Sequence, residues 1–115
     1  MFNQNFIVAF AVVLGLVAFK LYANGKYSKN IEAVIGQNPQ LLDVRTVAEY
    51  EEAHSDKMIN IPLDRLEQNL IKLDKARPII VFCRSGNRSG QAVKILKASG
   101  YKNVVNGGAW TNIKD

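Results

Sequence analysis

One cysteine, Cys83, and one histidine, His54, stand among the 115 residues of this chain. A single cysteine excludes an internal disulfide, so pairing says nothing about redox compartment, and one Cys with one His does not make a zinc site. Neither a metal nor a cofactor is expected. Charge of one sign is also never concentrated: 15 Lys and Arg stand beside 10 Asp and Glu, a formal net charge of +5, with no basic run. That dispersal argues against nucleic acid and for a mixed solvated surface with some pull toward small anions. Internal repeats and low-complexity segments are absent, and the length suits one domain.

Charge and proline are both missing from "FIVAFAVVLGLVAF", residues 6–19. Nothing there is polar enough to form the solvated face of a soluble helix. A cleaved signal peptide would need a positive start and a small-residue cleavage site, but "MFNQN" has no Lys or Arg and "FKLYANGK" offers no A-x-A. The expectation is therefore an uncleaved transmembrane anchor over residues 1–23. Its membrane contact would run through residues 6–22, spanning roughly 25 Å, with Lys20 snorkelling and Tyr22 at the interface. Lys20, Lys26 and Lys29 all flank the C-terminal side, which by the positive-inside rule puts the following domain in the cytoplasm. The lack of a G-x-x-x-G pattern around Gly15 favours a monomer.

Beyond the anchor, "NGKYSKN", residues 24–30, reads as a polar linker to a domain over 27–115. "SKNIEAVIG" predicts a short helix with Ser28 as N-cap and Gly36 as stop. "QLLDV" predicts a strand. "TVAEYEEAH" predicts a helix whose Thr46 and Glu49 form a capping box. "KMINIP" gives a brief strand, and "LDRLEQNLIKL" a helix with Leu63, Leu66, Leu70 and Leu73 on its core stripe. "PIIVF" is apolar without alternation, as expected of a central parallel strand buried on both faces. A helix follows in "SGQAVKILKASG", with Ala92, Val93 and Leu96 toward the sheet and Ile95 beside them. "KNVVN" adds a strand and "GGAWTNIKD" a turn with a short tail helix. Alternating strands and helices predict a three-layer α/β/α architecture with a mainly parallel sheet.

Cys83 then stands at the C-terminal end of a central strand, where such sheets bind ligands. The loop "CRSGNR" must curl tightly, and Gly86 permits the angles this requires, so several amide groups can converge on one point. The start of the following helix adds partial positive charge, while Arg84 and Arg88 add whole charges. All three favour thiolate, moving the Cys83 pKa from about 8.5 toward neutrality. The constellation reads as a nucleophile inside an anion site, with no adjacent base required.

"CRSGNRS" before a helix, "LLDVR" about forty residues earlier, His54, "INIPL" and then "GYKNVVNGG" together resemble a single-domain rhodanese, a rhodanese-like sulfurtransferase. The resemblance covers essentially all of the chain from about Ser28 onward, behind the membrane anchor. It implies that Cys83 takes sulfane sulfur from thiosulfate or a persulfide donor, holds it as a persulfide, and passes it to a thiophilic acceptor such as cyanide or a thiol. On that likeness Arg84, Ser85, Gly86, Asn87 and Arg88 bind the substrate. Their amides would cradle the outer sulfur and the two arginine side chains would orient the donor. Asp43 and Arg45 match the family's "DVR" and are expected as structural support. His54, with Ala53 before it and Ser55 after it where the family has Gly and Ile, is read as structural too. The shortened tail around Trp110 is most similar to small periplasmic rhodaneses, which places the domain on the opposite side of the membrane from the charge argument. Two other functions fit the loop: a sulfur-carrier or regulatory module, and a Cys-dependent phosphatase. The phosphatase signature is C-x5-R, whereas Cys83 to Arg88 is C-x4-R, a smaller ring better suited to one sulfur than to a phosphoryl group.

Overall fold

The structure, a computed structural model, describes residues 4–113, apart from the side chains of residues 6, 16 and 18–24. Four parallel strands form one sheet: β1 (Gln40–Asp43), β2 (Ile59–Asn60), β3 (Ile79–Cys83) and β4 (Val104–Ala109). Their order is β2-β1-β3-β4. β3 lies between β1 and β4, and all five of its residues are buried. That is the burial its unbroken apolar run implies, with each buried Ile, Val or Phe contributing roughly 1.5–3 kcal/mol.

Each face of the sheet has its own core. On one, α3 (Asn87–Ala98) turns Ala92 and Leu96 inward against Leu42, Ile79 and Val81, with Val93 and Ile95 partly buried beside them. On the other, Ile31 and Val34 of α1 (Gln4–Val34) join Ile80, Phe82 and Met58. The expected three layers are thus present.

Three expectations need correction. Residues 24–30 are not a linker, and Ser28 caps nothing, because α1 runs unbroken through both. One glycine, Gly25, costs a helix only about 1 kcal/mol, and burial of Ile31 and Val34 against the sheet outweighs it. The leucine-rich stretch is not one α-helix but two 3₁₀ pieces, Leu63–Arg65 and Glu67–Lys72, kinked at Asn69. Its stripe still serves the core: Leu66 and Leu73 are buried, and Leu63 and Leu70 pack on them.

The membrane anchor is the third. No helix among the described residues is long and apolar enough to cross a membrane, so a span over residues 6–22 is not supported. The apolar character belongs to only the first half of α1. From Gly25 the same helix carries Lys26, Lys29, Asn30 and Glu32 and joins the domain. The roles expected of Lys20 and Tyr22 fall outside the described side chains.

Short α2 (Val47–Glu52) starts at the predicted capping box: Thr46 accepts from the Glu49 amide, and Glu49 reaches back to the Thr46 amide. That box fixes α2 beside the C-terminal end of β1 and aims Glu49 toward the loop after β3.

Candidate active site

Cys83 ends β3 with only 1% of its surface exposed. The chain then turns through Arg84 and Ser85 to Gly86, whose φ of 102° lies in the left-handed region that glycine tolerates. This turn aims the Gly86 amide back at the sulfur, 2.9 Å from Cys83 Sγ. Gly86 is also the N-cap of α3 and supplies no side-chain cap. First-turn amides of α3 are therefore left to serve the thiol. The Ser89 hydroxyl stands 3.3 Å from Sγ on the helix side.

Two opposed effects set the charge state of Cys83. Burial is the larger single one and pushes the thiol up. Against it act the Ser89 hydroxyl and the amides of Ser89, Gly86 and Ser85, and together they leave the pKa below its ordinary value. The donors thus include two of the loop residues expected from the sequence, Ser85 and Gly86, and one that was not expected, Ser89. No cooperation from His54 is involved: its Nδ1 faces the Tyr50 carbonyl at 2.7 Å and its Nε2 the Asp56 carboxylate at 3.1 Å.

A network from β4 holds these donors in place. Asn106 Nδ2 donates to the Gly86 carbonyl at 2.9 Å. Asn106 Oδ1 accepts from the Ser89 hydroxyl at 2.7 Å and from the Gly108 amide at 2.9 Å. With the proton of Ser89 directed to Asn106, the thiol can donate to Ser89 Oγ. When Cys83 is thiolate, the hydroxyl can turn toward sulfur.

The two loop arginines part company. Arg84 is exposed and makes no ion pair among the described residues. It lines a groove of about 310 Å³ with Arg45, Glu49, Glu52, Ala53 and Trp110. Arg88, expected to meet an anionic donor, is instead held by Glu49 in a two-pronged pair, Nη1–Oε1 2.6 Å and Nη2–Oε2 2.9 Å. That guanidinium pulls Glu49 down to about 2, with burial opposing it and the Thr46 hydrogen bonds helping. Asn87 is the first residue of α3, with its side chain exposed.

Asp43 and Arg45 form a buried unit at the end of β1. Arg45 Nε and Nη2 donate to the Asp43 carboxylate at 2.7–3.0 Å. Nη2 also reaches the Ala53 carbonyl at 2.9 Å, and the guanidinium lies 4.6 Å from the centre of the Trp110 ring. The pair therefore ties β1, the end of α2 and the tail together. A larger hollow of about 390 Å³ opens along Gln40, Ile59, Asp74 and Arg77. Its lining carries no Cys, Ser, Thr or His side chain, so we assign the chemistry to Cys83, whose neighbour Arg84 lines the smaller groove. Among the described residues no three His, Cys, Asp or Glu side chains gather as a metal would require.

Comparison with known proteins agrees with this geometry. A model of the rhodanese-like domain matches residues 28–113. Thiosulfate sulfurtransferase PspE of Escherichia coli is 36% identical over 74 residues, covering 63% of this chain and 71% of that one. Thiosulfate:glutathione sulfurtransferase of Saccharomyces cerevisiae is 33% identical over 92 residues, covering 66% of each. The chain spans 45% of the length of another relative, YrkF of Bacillus subtilis, at 36% identity. Among solved structures, the E. coli rhodanese with anions superposes with a TM-score of 0.56 at 35% identity, over 65% of this chain and 91% of that one. Sulfur transfer is the general activity these relatives support, and the chain belongs to the rhodanese-like domain family.

Proposed function

We propose that this protein is a thiosulfate sulfurtransferase working through a Cys83 persulfide. The observation that carries this reading is the Gly86 amide 2.9 Å from Cys83 Sγ, at the mouth of a helix whose first turn is uncapped. Such donors stabilise negative charge on sulfur before any substrate arrives. The Cys83 thiolate attacks the outer sulfur of thiosulfate. A new S–S bond forms, the old one breaks, and sulfite leaves with the bonding electron pair. The anionic persulfide then sits within the amides that held the thiolate. A thiophilic acceptor, cyanide or a thiolate, takes the outer sulfur and returns Cys83 to its starting state.

Arg84 is the side chain placed to draw an anionic donor to the groove. Arg88 acts through the loop instead, because its charge is already matched by Glu49. Asp43 and Arg45 support the site as structure. Small sulfur anions and thiols are accordingly the proposed partners, met by a monomer. A membrane surface is the proposed location, without a span: Ile7, Val8, Phe10, Val12, Val13, Leu14 and Val17 lie on all sides of α1 and are 50–58% exposed. An all-round apolar helix requires cover from water.

Steady-state kinetics test the reaction. Thiosulfate and cyanide should yield thiocyanate and sulfite with parallel double-reciprocal lines, as two half-reactions through one covalent intermediate require. Intersecting lines, or no thiocyanate, would reject the mechanism. Sedimentation of the full chain with lipid vesicles tests the location, and recovery in the supernatant would reject it.

A further inference from the structure

Tyr27 stands one residue outside the segment matched to the family, 28–113, yet its side chain reaches the catalytic loop. Its ring occupies a slot made by two glycines that both have positive φ, Gly86 at 102° and Gly108 at 73°. A Cβ on Gly86 would overlap the Tyr27 hydroxyl outright, and its Cζ would be 2.6 Å away. A Cβ on Gly108 would fall 2.5 Å from Tyr27 Cδ2 and 2.7 Å from Cγ. Real side-chain carbons do not approach that closely, so the slot exists only because both positions lack a side chain.

One turn further along α1, Asn30 Nδ2 donates to the Asn106 carbonyl at 2.9 Å. Asn106 in turn holds the Gly86 carbonyl at 2.9 Å. Gly86 is thus fixed on three sides: its amide on Cys83 Sγ, its carbonyl on Asn106, and its α-carbon against the hydroxyl end of Tyr27. The first two constraints come from the domain. The third comes from a helix that begins well before it.

We propose that Tyr27 is a positioning residue for Cys83: its ring braces Gly86 from behind and keeps that amide on the sulfur, so α1 is a working part of the sulfur-transfer site. This inference rests on the sulfurtransferase reading for its consequence, though not for its geometry. The Tyr27 hydroxyl has no hydrogen-bond partner among the described residues. The hydroxyl and Cζ face Gly86 while Cγ and Cδ2 face Gly108, so contact and not a hydrogen bond does the bracing, and the variant without the hydroxyl should keep only part of it.

The pH profile of Cys83 alkylation by iodoacetamide, measured on the full chain, separates this from a merely structural role. Arg88 interacts electrostatically with Cys83, and the other charged groups around the site are Arg84 on the loop, Glu49 on α2, and Asp43 with Arg45 at the end of β1. Substitutions at Tyr27 leave all of them in place. Tyr27→Ala should raise the alkylation midpoint by about one pH unit, toward that of a free thiol, and slow thiosulfate turnover about tenfold. Tyr27→Phe, which loses the hydroxyl against Gly86 but keeps the ring, should fall between wild type and Tyr27→Ala in both midpoint and rate. Tyr27→Leu, which keeps an apolar side chain in the slot, guards against loss of fold in the alanine variant and should also shift upward. A cooperatively melting Tyr27→Ala or Tyr27→Leu with the wild-type profile would overturn the proposal, as would a Tyr27→Phe as impaired as Tyr27→Ala. Alkylation needs no sulfur donor. If wild type took no sulfur from thiosulfate, the proposed function would fail while an upward shift in Tyr27→Ala would still establish the brace.

Discussion

Two loops leave the same end of the sheet, each carrying an arginine, and they spend their hydrogen bonds differently. After β1, Asp43 and Arg45 close on each other, and Thr46 and Glu49 close the start of α2. Asp43 and Arg45 match each other's charge and Glu49 is taken by Arg88, so no charge there is left over for a ligand. After β3, Gly86 begins α3 with no side-chain cap, and the freed amides converge on one sulfur. Stability comes from the loop that satisfies itself. Reactivity comes from the loop that does not.

Replacing the sulfur removes the reactive loop's purpose, and this is the largest effect expected. Cys83→Ser should abolish thiocyanate formation while leaving the melting curve near wild type. Residual activity would place the nucleophile elsewhere. In the other loop the largest loss should be of stability. Asp43→Ala leaves the Arg45 guanidinium buried without its carboxylate, a change that costs about 3–5 kcal/mol in comparable buried pairs. Urea unfolding measures it, and a loss below about 1 kcal/mol would mean that water or Trp110 already satisfies Arg45.

Gly86→Ala sits between these extremes. The substitution strains a left-handed φ, by about 1–3 kcal/mol, and drives a methyl group into Tyr27. Both stability and thiosulfate rate should fall, and a variant with a normal rate would show that the amide need not stay on sulfur. Ser89→Ala should act more gently. The Ser89 hydroxyl lowers the Cys83 pKa, so its removal raises the midpoint of alkylation by about half to one pH unit and slows reaction below that midpoint. An unchanged profile would assign the thiolate to the amides alone.

The smallest effect belongs to Glu49→Gln. Glu49 has its folded pKa lowered from 4.5 to about 2, so its pairing with Arg88 stabilises the fold above about pH 4.5 and is lost as pH falls toward 2. Both partners are about one-third exposed, at 31% and 32%, so solvent screening holds the contribution to at most about 1 kcal/mol. Gln can still complete the capping box. Wild type should therefore exceed Glu49→Gln slightly in stability at pH 7 and match it near pH 2. Equal stability at both would show the pair to be energetically neutral.

Local patterns carried what they physically determine. The unbroken apolar run at β3, the Thr46–Glu49 box and the glycine in the Cys83 loop each act over a few residues, and each is found where its pattern puts it. What escaped depends on partners distant in the chain. Glu49 and Arg88 lie 39 residues apart, and only folding reveals that the arginine is already paired. Asn106 enters the site because β4 pairs with β3 through an irregular register near Val81 and Phe82, which no local signal specifies. Ser89 does have a local signal, since a residue in the first turn of α3 can return to face Cys83. Gly25 and Ser28 read as breaks because local propensity favours one there. Packing of Ile31 and Val34, with Tyr27 over the loop, decides for a continuous helix.

The proposed reaction turns on Cys83 as a thiolate that accepts sulfur within its ring of donors. Intact-mass analysis of the full chain after brief exposure to thiosulfate tests this most directly. Wild type should gain the mass of one sulfur atom, localised to Cys83 and removed by cyanide, and Cys83→Ser should gain none. An unmodified wild-type protein, or a cyanide-labile sulfur on the Cys83→Ser chain, would contradict it.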